Sequence, residues 1–312
     1  MLKKLTCMIL MTTSLFIMTA CINENTNIDN AERTFLLMPL ADSNSDFNSL
    51  LLSGAEREAE INGWYLIIDN GDDSATSFQN GIRNNVAGIA ISPITPDIFS
   101  EEIENAMEYS VPVVTFFSDI YNHESRNAYI GPNNLETGKE LGRRSAEYLL
   151  ERNITSGSIA MIMSNSTQTT FTERAEGIKK GFAETIYEYD TNFSWLTPIV
   201  DGDNIAISLR EFELQMIQNP NMVAVFSLGT EASSTGAMEV IRLLNRTAQI
   251  HHFSFDFIPI PANTKGLVAG IMNQENPYLM GRQIVRTMID IAEGRSVASE
   301  NYIESKWIEL QN

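Results

Sequence analysis

Short apolar runs alternate with amphipathic stretches from Thr34 onward. Runs of about four to eight apolar residues are typical of strands that a parallel sheet buries on both faces, and the stretches between them are typical of covering helices. The first predicted strands are 35–40, 65–69, 88–91 and 111–117. The first predicted helices are 47–61, 78–86 and 97–109, the last opened by the capping signal Thr95-Pro96-Asp97.

A second series of the same kind follows. Its predicted strands are 158–163, 195–200, 223–228 and 250–255. Its predicted helices are 135–151, 171–185, 205–218 and 231–244. Two βα series of similar size predict an α/β fold of two doubly wound, parallel-sheet lobes. Ligands of such folds bind beyond the carboxyl ends of the strands, so we expect a binding cleft between the lobes.

The first twenty-one residues have the composition of an export signal. Two lysines precede the apolar stretch Leu5–Met18, which is shorter than the ~20 residues that span a bilayer. Met18-Thr19-Ala20-Cys21 resembles the cleavage site of bacterial lipoproteins, so we expect Cys21 to carry a lipid. The alternative is an ordinary secretory signal in which Cys21 is incidental. Residues 22–33 are polar and Asn-rich, which predicts a flexible tether.

The formal charge of the chain is −19, and loss of Lys3 and Lys4 with the signal takes it to −21. An acidic surface repels phosphates, so we expect no nucleic acid partner. The two cysteines are Cys7, which leaves with the signal, and the lipidated Cys21. The mature chain therefore has no thiol for disulfides, catalysis or metal binding.

The sequence contains none of the common enzyme motifs: no GxSxG elbow, no P-loop, no GxGxxG after the first strand and no HExxH. His123, His251 and His252 show no ligand spacing with a carboxylate pair, so we expect no metal site. A glycosidase pair stays open as an alternative, because carboxylates are plentiful in so acidic a chain. We expect a binding protein without enzymatic activity and without a cofactor.

Eight pieces of the sequence, in order, resemble the type I periplasmic sugar-binding proteins, the ribose- and galactose-binding relatives of ABC transporters. The pieces are Phe47-x6-Gly54-Ala55-Glu56-Arg57-Glu58-Ala59, Ile91-Ser92-Pro93, Val111-Pro112-Val113-Val114-Thr115, Tyr129-Ile130-Gly131-Pro132-Asn133-Asn134, Arg174-Ala175-Glu176-Gly177, Asn219-Pro220-Asn221, Phe255-Asp256 and Asn276-Pro277-Tyr278-Leu279-Met280-Gly281. They cover essentially the whole mature chain. LacI-type repressors share this fold, but they need an N-terminal helix-turn-helix where this chain has an export signal.

The resemblance implies two lobes joined by three crossovers that act as a hinge. The crossovers are expected near Asn133-Asn134, near 274–276 and near Glu304. The N-terminal lobe would then comprise 34–133 and 276–303, and the C-terminal lobe 134–275 and 304–312.

Sugar binding needs aromatic faces for the C–H patches of the ring and charged or amide groups for its hydroxyls. The resemblance implies that Phe47 stacks on the sugar and that Arg174 donates to hydroxyl oxygens. Each has an alternative role. Phe47 can be a helix-start residue packed into the core, and Arg174 can pair with Glu173, Glu176 or another surface acid.

The end of a buried strand supplies further candidates. Asp256 matches an acceptor carboxylate of the family, and Phe255 can pack behind it. The family has a glutamine just before Asn276, a position that corresponds to either Gln274 or Glu275.

The sequence departs from the ribose-binding pattern at several positions. An Asp-Arg pair that grips the ring is replaced by Phe117-Ser118, with Asp119 one residue later. Phe116 and Phe117 are adjacent, so on a strand at most one of them faces the cleft. An amide of the family is either replaced by Ser45 or displaced to Asn44, and Asp203 stands where an aromatic is common. We therefore expect either another polyol or a less hydroxylated ligand.

The predicted partners follow from the resemblance. A small carbohydrate-like ligand is expected between the lobes, and an ABC transporter permease in the membrane is expected to receive it. A membrane sensor kinase or chemoreceptor is the alternative partner. The protein is expected to be a monomer, lipid-anchored to the cell membrane on its extracytoplasmic face, either in a periplasm or on the outside of a single-membrane cell.

Overall fold

The structure, a computed structural model, describes residues 30–39, 46–69, 74–229, 231–255, 266–274 and 276–310. The predicted signal, the predicted lipidation site Cys21 and most of the predicted tether lie outside these residues. The described chain forms two α/β lobes, each built on a mainly parallel sheet. This confirms the predicted fold class.

The elements follow one another in the βα alternation that the apolar runs predict. The first lobe begins with β1 (Thr34–Met38), α1 (Asp46–Asn62), β2 (Tyr65–Ile68), α2 (Ser74–Arg83), β3 (Gly88–Ile91), α3 (Ser100–Glu108), β4 (Val113–Phe116) and β5 (Ala128–Gly131). The second lobe contains α4 (Asn134–Glu151), β6 (Ser156–Met163), α5 (Thr169–Ile186), β7 (Asn192–Trp195), β8 (Ile199–Val200), α6 (Ile205–Gln218), β9 (Met222–Ser227), α7 (Glu231–Leu243), β10 (His251–Phe255) and β11 (Gly270–Gln274). The chain then returns to the first lobe with α8 (Pro277–Ala292) and β12 (Glu300–Tyr302), and it crosses again to the second lobe with β13 (Ser305–Glu309).

The strand order shows which segments of the chain form each of the two sheets. The first sheet has the order β12-β5-β4-β3-β1-β2, and all of its pairs are parallel. The second has the order β13-β11-β10-β9-β6-β7, with β8 also paired to β6. Its edge strand β13 runs antiparallel to β11, which departs from the purely parallel lobes that we predicted. The chain passes between the lobes before α4, before α8 and between β12 and β13.

The inner strands of each sheet are buried on both faces. In β1, Phe35 and Leu37 pack under α1 and α8, whereas Leu36 and Met38 pack under α2 and α3. This alternation is the period of two that a strand imposes on its side chains. Complete burial of side chains of this size stabilises the fold by about 1.5–3 kcal/mol each, so both layers of helices are held to the sheet.

Some predicted elements differ from the structure only in their bounds, such as the helix predicted over 78–86, which lies at Ser74–Arg83. Two differ more strongly. The strand predicted over 195–200 is divided between β7 and β8, because Pro198 has no N–H to donate to the ladder. The helix predicted over 97–109 begins only at Ser100. Residues 95–99 form a turn instead, in which the Ile98 N–H donates to the Thr95 carbonyl at 3.3 Å.

Candidate ligand-binding site

Four of the predicted site residues form one contiguous array across the boundary between the lobes. The rings of Phe47, in α1, and Phe117, after β4, lie 5.3 Å apart by their centroids. The Arg174 guanidinium, in α5, lies 5.7 Å from the Phe117 ring centroid and 4.3 Å from that of Phe255, the last residue of β10. Phe47 and Phe117 belong to the first lobe, and the other two belong to the second. We call these four residues the aromatic–arginine array.

Arg174 is fully buried within this array. Its Nε–H donates to Asn134 Oδ1 at 3.0 Å, and Nη1 donates to the Leu228 carbonyl at 2.8 Å. Cation–π contacts with the flanking rings compensate part of the cost of burying the charge.

The backbone of Phe117 places its ring in the array. β4 ends at Phe116, and Phe117 follows with φ +61°, in the left-handed region that residues with bulky side chains rarely adopt. The Phe117 N–H donates to the Ile130 carbonyl at 3.0 Å, which holds this turn against β5. The strand expected over 111–117 is therefore too long at this end. The rule that adjacent strand residues face opposite sides does not apply to Phe117.

The two lobes contact each other directly beside the array. Thr170 Oγ1, in the first turn of α5, donates to the Phe117 carbonyl at 2.6 Å and lies 2.8 Å from Ser118 Oγ. The Asp119 N–H donates to Thr169 Oγ1 at 2.8 Å. These groups are buried. The loop after β4 and the start of α5 therefore form a polar contact that joins the lobes.

Asp119 lies in this contact, and its carboxylate is bound by an arginine that sequence reasoning missed. Arg126 Nε donates to Asp119 Oδ1 at 2.8 Å, and Nη2 donates to Oδ2 at 2.6 Å. The same Nη2 donates to Glu300 Oε1, in β12, at 2.6 Å. The bidentate pair fixes the loop between β4 and β5, and the hydrogen bond to Glu300 holds this loop to β12, the strand that enters the third passage between the lobes.

His123, Asp119 and Glu300 bring potential metal-ligand atoms within 4.8 Å of one another. Sequence spacing did not reveal this group, because Glu300 is distant in the chain. However, the Arg126 guanidinium lies within 2.6 Å of both carboxylates, where it provides the countercharge. The geometry is that of an ion-pair network.

Glu173 faces the same network from the second lobe, and sequence reasoning named it only as a partner for Arg174. Burial raises the pKa of Glu173 to about 7, and the negative charges of Asp119, Glu176 and Glu300 add to this effect. The positive charge of Arg174 opposes it. The carboxyl group therefore titrates near neutral pH.

Asp203 is not part of the aromatic–arginine array, since its side chain is exposed. Its φ of +61° follows Gly202, also at +61°, in a tight turn after β8. The Asp203 N–H donates to Oδ1 of the buried Asp201 at 3.0 Å, and Ser233 Oγ donates to Oδ2 at 2.7 Å. Burial raises the pKa of Asp201, against the lowering by these hydrogen bonds. Asp201 is thus the carboxylate that fixes this turn.

The remaining predicted site residues lie at or beyond the limits of the described chain. Ser45, Asp256 and Glu275 lie outside the described residues. Gln274 is the last residue of β11, where its backbone pairs with Ser305. The choice between Gln274 and Glu275 therefore stays open.

The protein has two α/β lobes that are joined by three passages, and the aromatic–arginine array lies between them. This arrangement defines a two-lobed ligand-binding protein. Residues 35–296 match the periplasmic binding protein domain, and the chain belongs to this family. This membership supports the prediction of a binding protein rather than an enzyme. Among the described residues, none of the helices combines the length and apolar composition that a bilayer span requires.

Individual relatives agree with this class. The chain is 24% identical over 179 residues to the ABC transporter periplasmic-binding protein YphF of Escherichia coli (strain K12). That match covers 56% of this chain and 52% of YphF, so the chain spans about half the length of this curated relative. The fold is similar to that of an ABC transporter solute-binding protein from Burkholderia graminis in complex with D-arabinose, with a TM-score of 0.78, 21% identity, and coverage of 90% of this chain and 97% of that one. It is also similar to a chain of the XylFII–LytSN complex, with a TM-score of 0.75, 21% identity, and coverage of 89% and 98%.

Proposed function

We propose that the protein is an extracytoplasmic receptor that binds a sugar or a sugar-like molecule between its two lobes. The observation that carries the proposal is the aromatic–arginine array, in which successive groups lie no more than 5.7 Å apart across the lobe boundary. Aromatic faces pack on the C–H patches of a sugar ring, and a guanidinium donates to its hydroxyl oxygens. D-arabinose in the Burkholderia graminis relative supports a sugar as the ligand class.

Other predicted residues complete the proposed cleft. We propose that Ser45, Asp203, Asp256 and Gln274 also bind the ligand, because they correspond to ligand-binding positions of the family. We propose Asp119 as a ligand-binding residue as well. Its ion pair with Arg126 also stabilises the loop that carries Phe117.

A thermal-shift screen of the protein without residues 1–21 tests the proposal. The panel comprises pentoses, hexoses, polyols and nucleosides. A ligand at 100 times its Kd stabilises the folded state by about 2.7 kcal/mol. We expect a sugar of the panel to raise Tm in the parent and in Arg210→Ala, which removes an exposed arginine of α6. The same sugar should give no shift with Arg174→Ala. A shift that survives Arg174→Ala would place the site elsewhere.

We also propose that the receptor is anchored by lipid on Cys21 and delivers its ligand to an ABC transporter. The support is the lipoprotein-like Met18-Thr19-Ala20-Cys21 and the similarity to YphF. Labelled fatty acid should be incorporated into the parent and not into Cys21→Ser. Label on the Cys21→Ser protein would disprove the anchor. Delivery predicts that the loaded receptor stimulates the ATPase of a transporter encoded beside it.

The second candidate is presentation of the ligand to a membrane sensor. The similarity to a chain of the XylFII–LytSN complex favours it. A histidine kinase encoded beside the receptor, whose autophosphorylation responds to the loaded receptor, would support this function over transport. A permease and an ATPase in that position would support transport.

A further inference from the structure

Asn134 is the first residue of α4 and follows directly the first passage between the lobes. Its side chain is buried, with 3% of the residue exposed. The preceding Asn133 has a different task. Its Oδ1 caps α4 by accepting from the Glu136 N–H at 3.1 Å. Asn133 thus caps the helix, whereas the buried side chain of Asn134 is available for contacts with other parts of the protein.

The Asn134 amide contacts groups of both lobes. Its Oδ1 accepts from Arg174 Nε at 3.0 Å, and its Nδ2 lies 3.5 Å from the Phe117 carbonyl oxygen and 3.4 Å from Tyr129 Oη. These partners fix the orientation of the amide, because a guanidinium can only donate and a carbonyl can only accept. The amide therefore links the loop after β4 in the first lobe to the arginine of the second.

A close approach of two helices makes this contact possible. Gly138 lies one turn after Asn134, on the same face of α4, and packs against the backbone of Arg174. A Cβ at position 138 would collide with the Arg174 carbonyl oxygen. The glycine brings α4 near enough to α5 for the short asparagine side chain to reach the Nε of Arg174.

We propose that Asn134 is a positioning residue for ligand binding, which sets the plane of the Arg174 guanidinium between the rings of Phe117 and Phe255 and makes that orientation depend on the loop after β4. The inference rests on the proposed function for the role of Arg174. The Nε and Nη1 atoms are held by Asn134 and Leu228, so the direction in which the guanidinium faces a ligand is set by protein groups. A change in the position of Asn134 relative to Phe117 then changes the direction in which the Arg174 guanidinium faces a ligand.

The first test needs no ligand. The Nε–H resonance of Arg174, assigned with Arg174→Lys, should be slow to exchange in the parent and in Asn133→Ala. Asn134→Leu, a substitution of similar shape, should speed its exchange or shift it strongly. Asn134→Asp keeps the acceptor and should retain the resonance. An unchanged resonance in Asn134→Leu would overturn the proposal. If Asn134→Leu does not fold, loss of the protected resonance in Asn134→Asp overturns it.

The second test uses the tightest-binding sugar of the panel. Asn134→Leu should weaken binding about tenfold in the parent and less than twofold in the Arg174→Lys background, because lysine has no Nε to position. Asn133→Ala should leave affinity within twofold while it lowers Tm. Equal losses in the two backgrounds would overturn the positioning role and leave the receptor function intact. Unchanged affinity in Arg174→Lys and Arg174→Ala would overturn the proposed site itself.

Discussion

Each lobe packs one pair of neighbouring helices through glycines, and the two pairs share one geometry. In the first lobe, Gly54 of α1 lies against the carbonyl of Tyr278, the second residue of α8. Gly281, the fifth residue of α8, lies against the carbonyl of Leu51 in α1. Neither glycine has room for a Cβ, so the backbones are in direct contact.

The second lobe repeats this arrangement. Gly177 of α5 lies against the carbonyl of Leu135, the second residue of α4, and Gly138, the fifth, lies against the carbonyl of Arg174. The matching positions make Arg174 the counterpart of Leu51, three residues before the glycine in each case. Both side chains are fully buried.

The pairs differ one turn further along. Glu58 of α1 forms ion pairs with Arg282 and Arg286 of α8, both at 2.6 Å. In the second lobe, Gly181 takes the place of Glu58 and packs against the Lys139 carbonyl. At this turn, ion pairs hold α1 to α8 in the first lobe, and a direct backbone contact holds α4 to α5 in the second.

The difference between the two helix pairs accounts for the position of the candidate site. One arrangement of helices carries an aliphatic side chain in the first lobe and a guanidinium in the second, at matching buried positions. The guanidinium is the group that needs hydrogen-bond acceptors and can in turn donate to a ligand. The candidate site therefore arises where the second lobe departs from the first.

The largest effect is expected when the backbone contact of the second pair is disrupted. Gly177→Ala places a Cβ against the Leu135 carbonyl, between helices that Gly138 and Gly181 also bring into contact. A clash with backbone atoms lies at the upper end of the about 1–3 kcal/mol that overpacking costs, against a gain of about 0.5–1 kcal/mol in helix propensity. We expect a net loss near 2 kcal/mol in urea unfolding.

The exposed Lys180→Ala is the control for Gly177→Ala and should stay within about 0.5 kcal/mol of the parent. Gly54→Ala tests the equivalence of the lobes and should also destabilise. The comparison fails if Gly177→Ala is as stable as the control.

The next effect concerns the charged contact of the first pair. Glu58→Gln removes the ion pairs with Arg282 and Arg286 and should cost about 1–3 kcal/mol at pH 7. Burial raises the pKa of Glu58, but the hydrogen bonds and charges of Arg286 and Arg282 outweigh it, and the pKa lies below its ordinary 4.5. The stabilisation is therefore present above pH 4.5 and is lost as pH falls through the lowered pKa.

Urea unfolding at pH 7 and pH 3 checks this sign. The deficit of Glu58→Gln should shrink at pH 3, whereas the exposed Glu56→Gln should stay near the parent at both values. A deficit that grows with acidity would contradict the ion-pair account.

A smaller effect of opposite sign is expected at Glu173. Its pKa of about 7 means that the folded protein disfavours the charged form. Stability is therefore lost relative to a neutral side chain as pH rises from about 4.5 to about 7. The full shift corresponds to about 3 kcal/mol, but solvent screens this partly exposed carboxyl, so Glu173→Gln should be more stable than the parent by about 1 kcal/mol at pH 8 and nearly equal to it at pH 4.5. The exposed Glu213→Gln, in α6, serves as the control in unfolding at both values, and a parent that is the more stable protein at pH 8 would refute the prediction.

The smallest effect compares the two residues that contact Phe117 from opposite lobes. Phe47 and Thr170 occupy matching positions in α1 and α5, and the first offers a ring where the second offers a hydroxyl. Phe47→Leu should weaken sugar binding about two- to tenfold through lost stacking and change stability little. Calorimetry with the sugar found in the screen measures this. Affinity equal to that of the parent would assign Phe47 to the core alone.

The two-lobe fold could be predicted because its signals are local. Each apolar run lies within one strand, and each strand is followed by an amphipathic stretch, so the alternation survives errors at the ends of single elements. The errors fell where local signals conflict. Pro198 divides a run that reads as one strand, and Thr95-Pro96-Asp97 opens a turn that the capping pattern does not distinguish from a helix start.

The candidate site could be predicted only in part. Arg174, Phe47 and Phe255 were identified from family positions, and the structure brings them together with Phe117. The partners of these residues were missed because they are distant in sequence. Asn134 reaches Arg174 only through the contact of α4 with α5, and no sequence pattern pairs residues forty positions apart.

The passages of the chain between the sheets have a consequence for synthesis. The first lobe is complete only with α8 and β12, and the edge of the second sheet is covered only by β13. Neither lobe is therefore a contiguous unit that can finish folding as it emerges from the ribosome. Until residues 277–309 have been made, β5 and β11 each lack a neighbouring strand. A chain destined for export would thus remain incompletely folded for most of its translation, the state in which unfolded-chain export machinery can accept it.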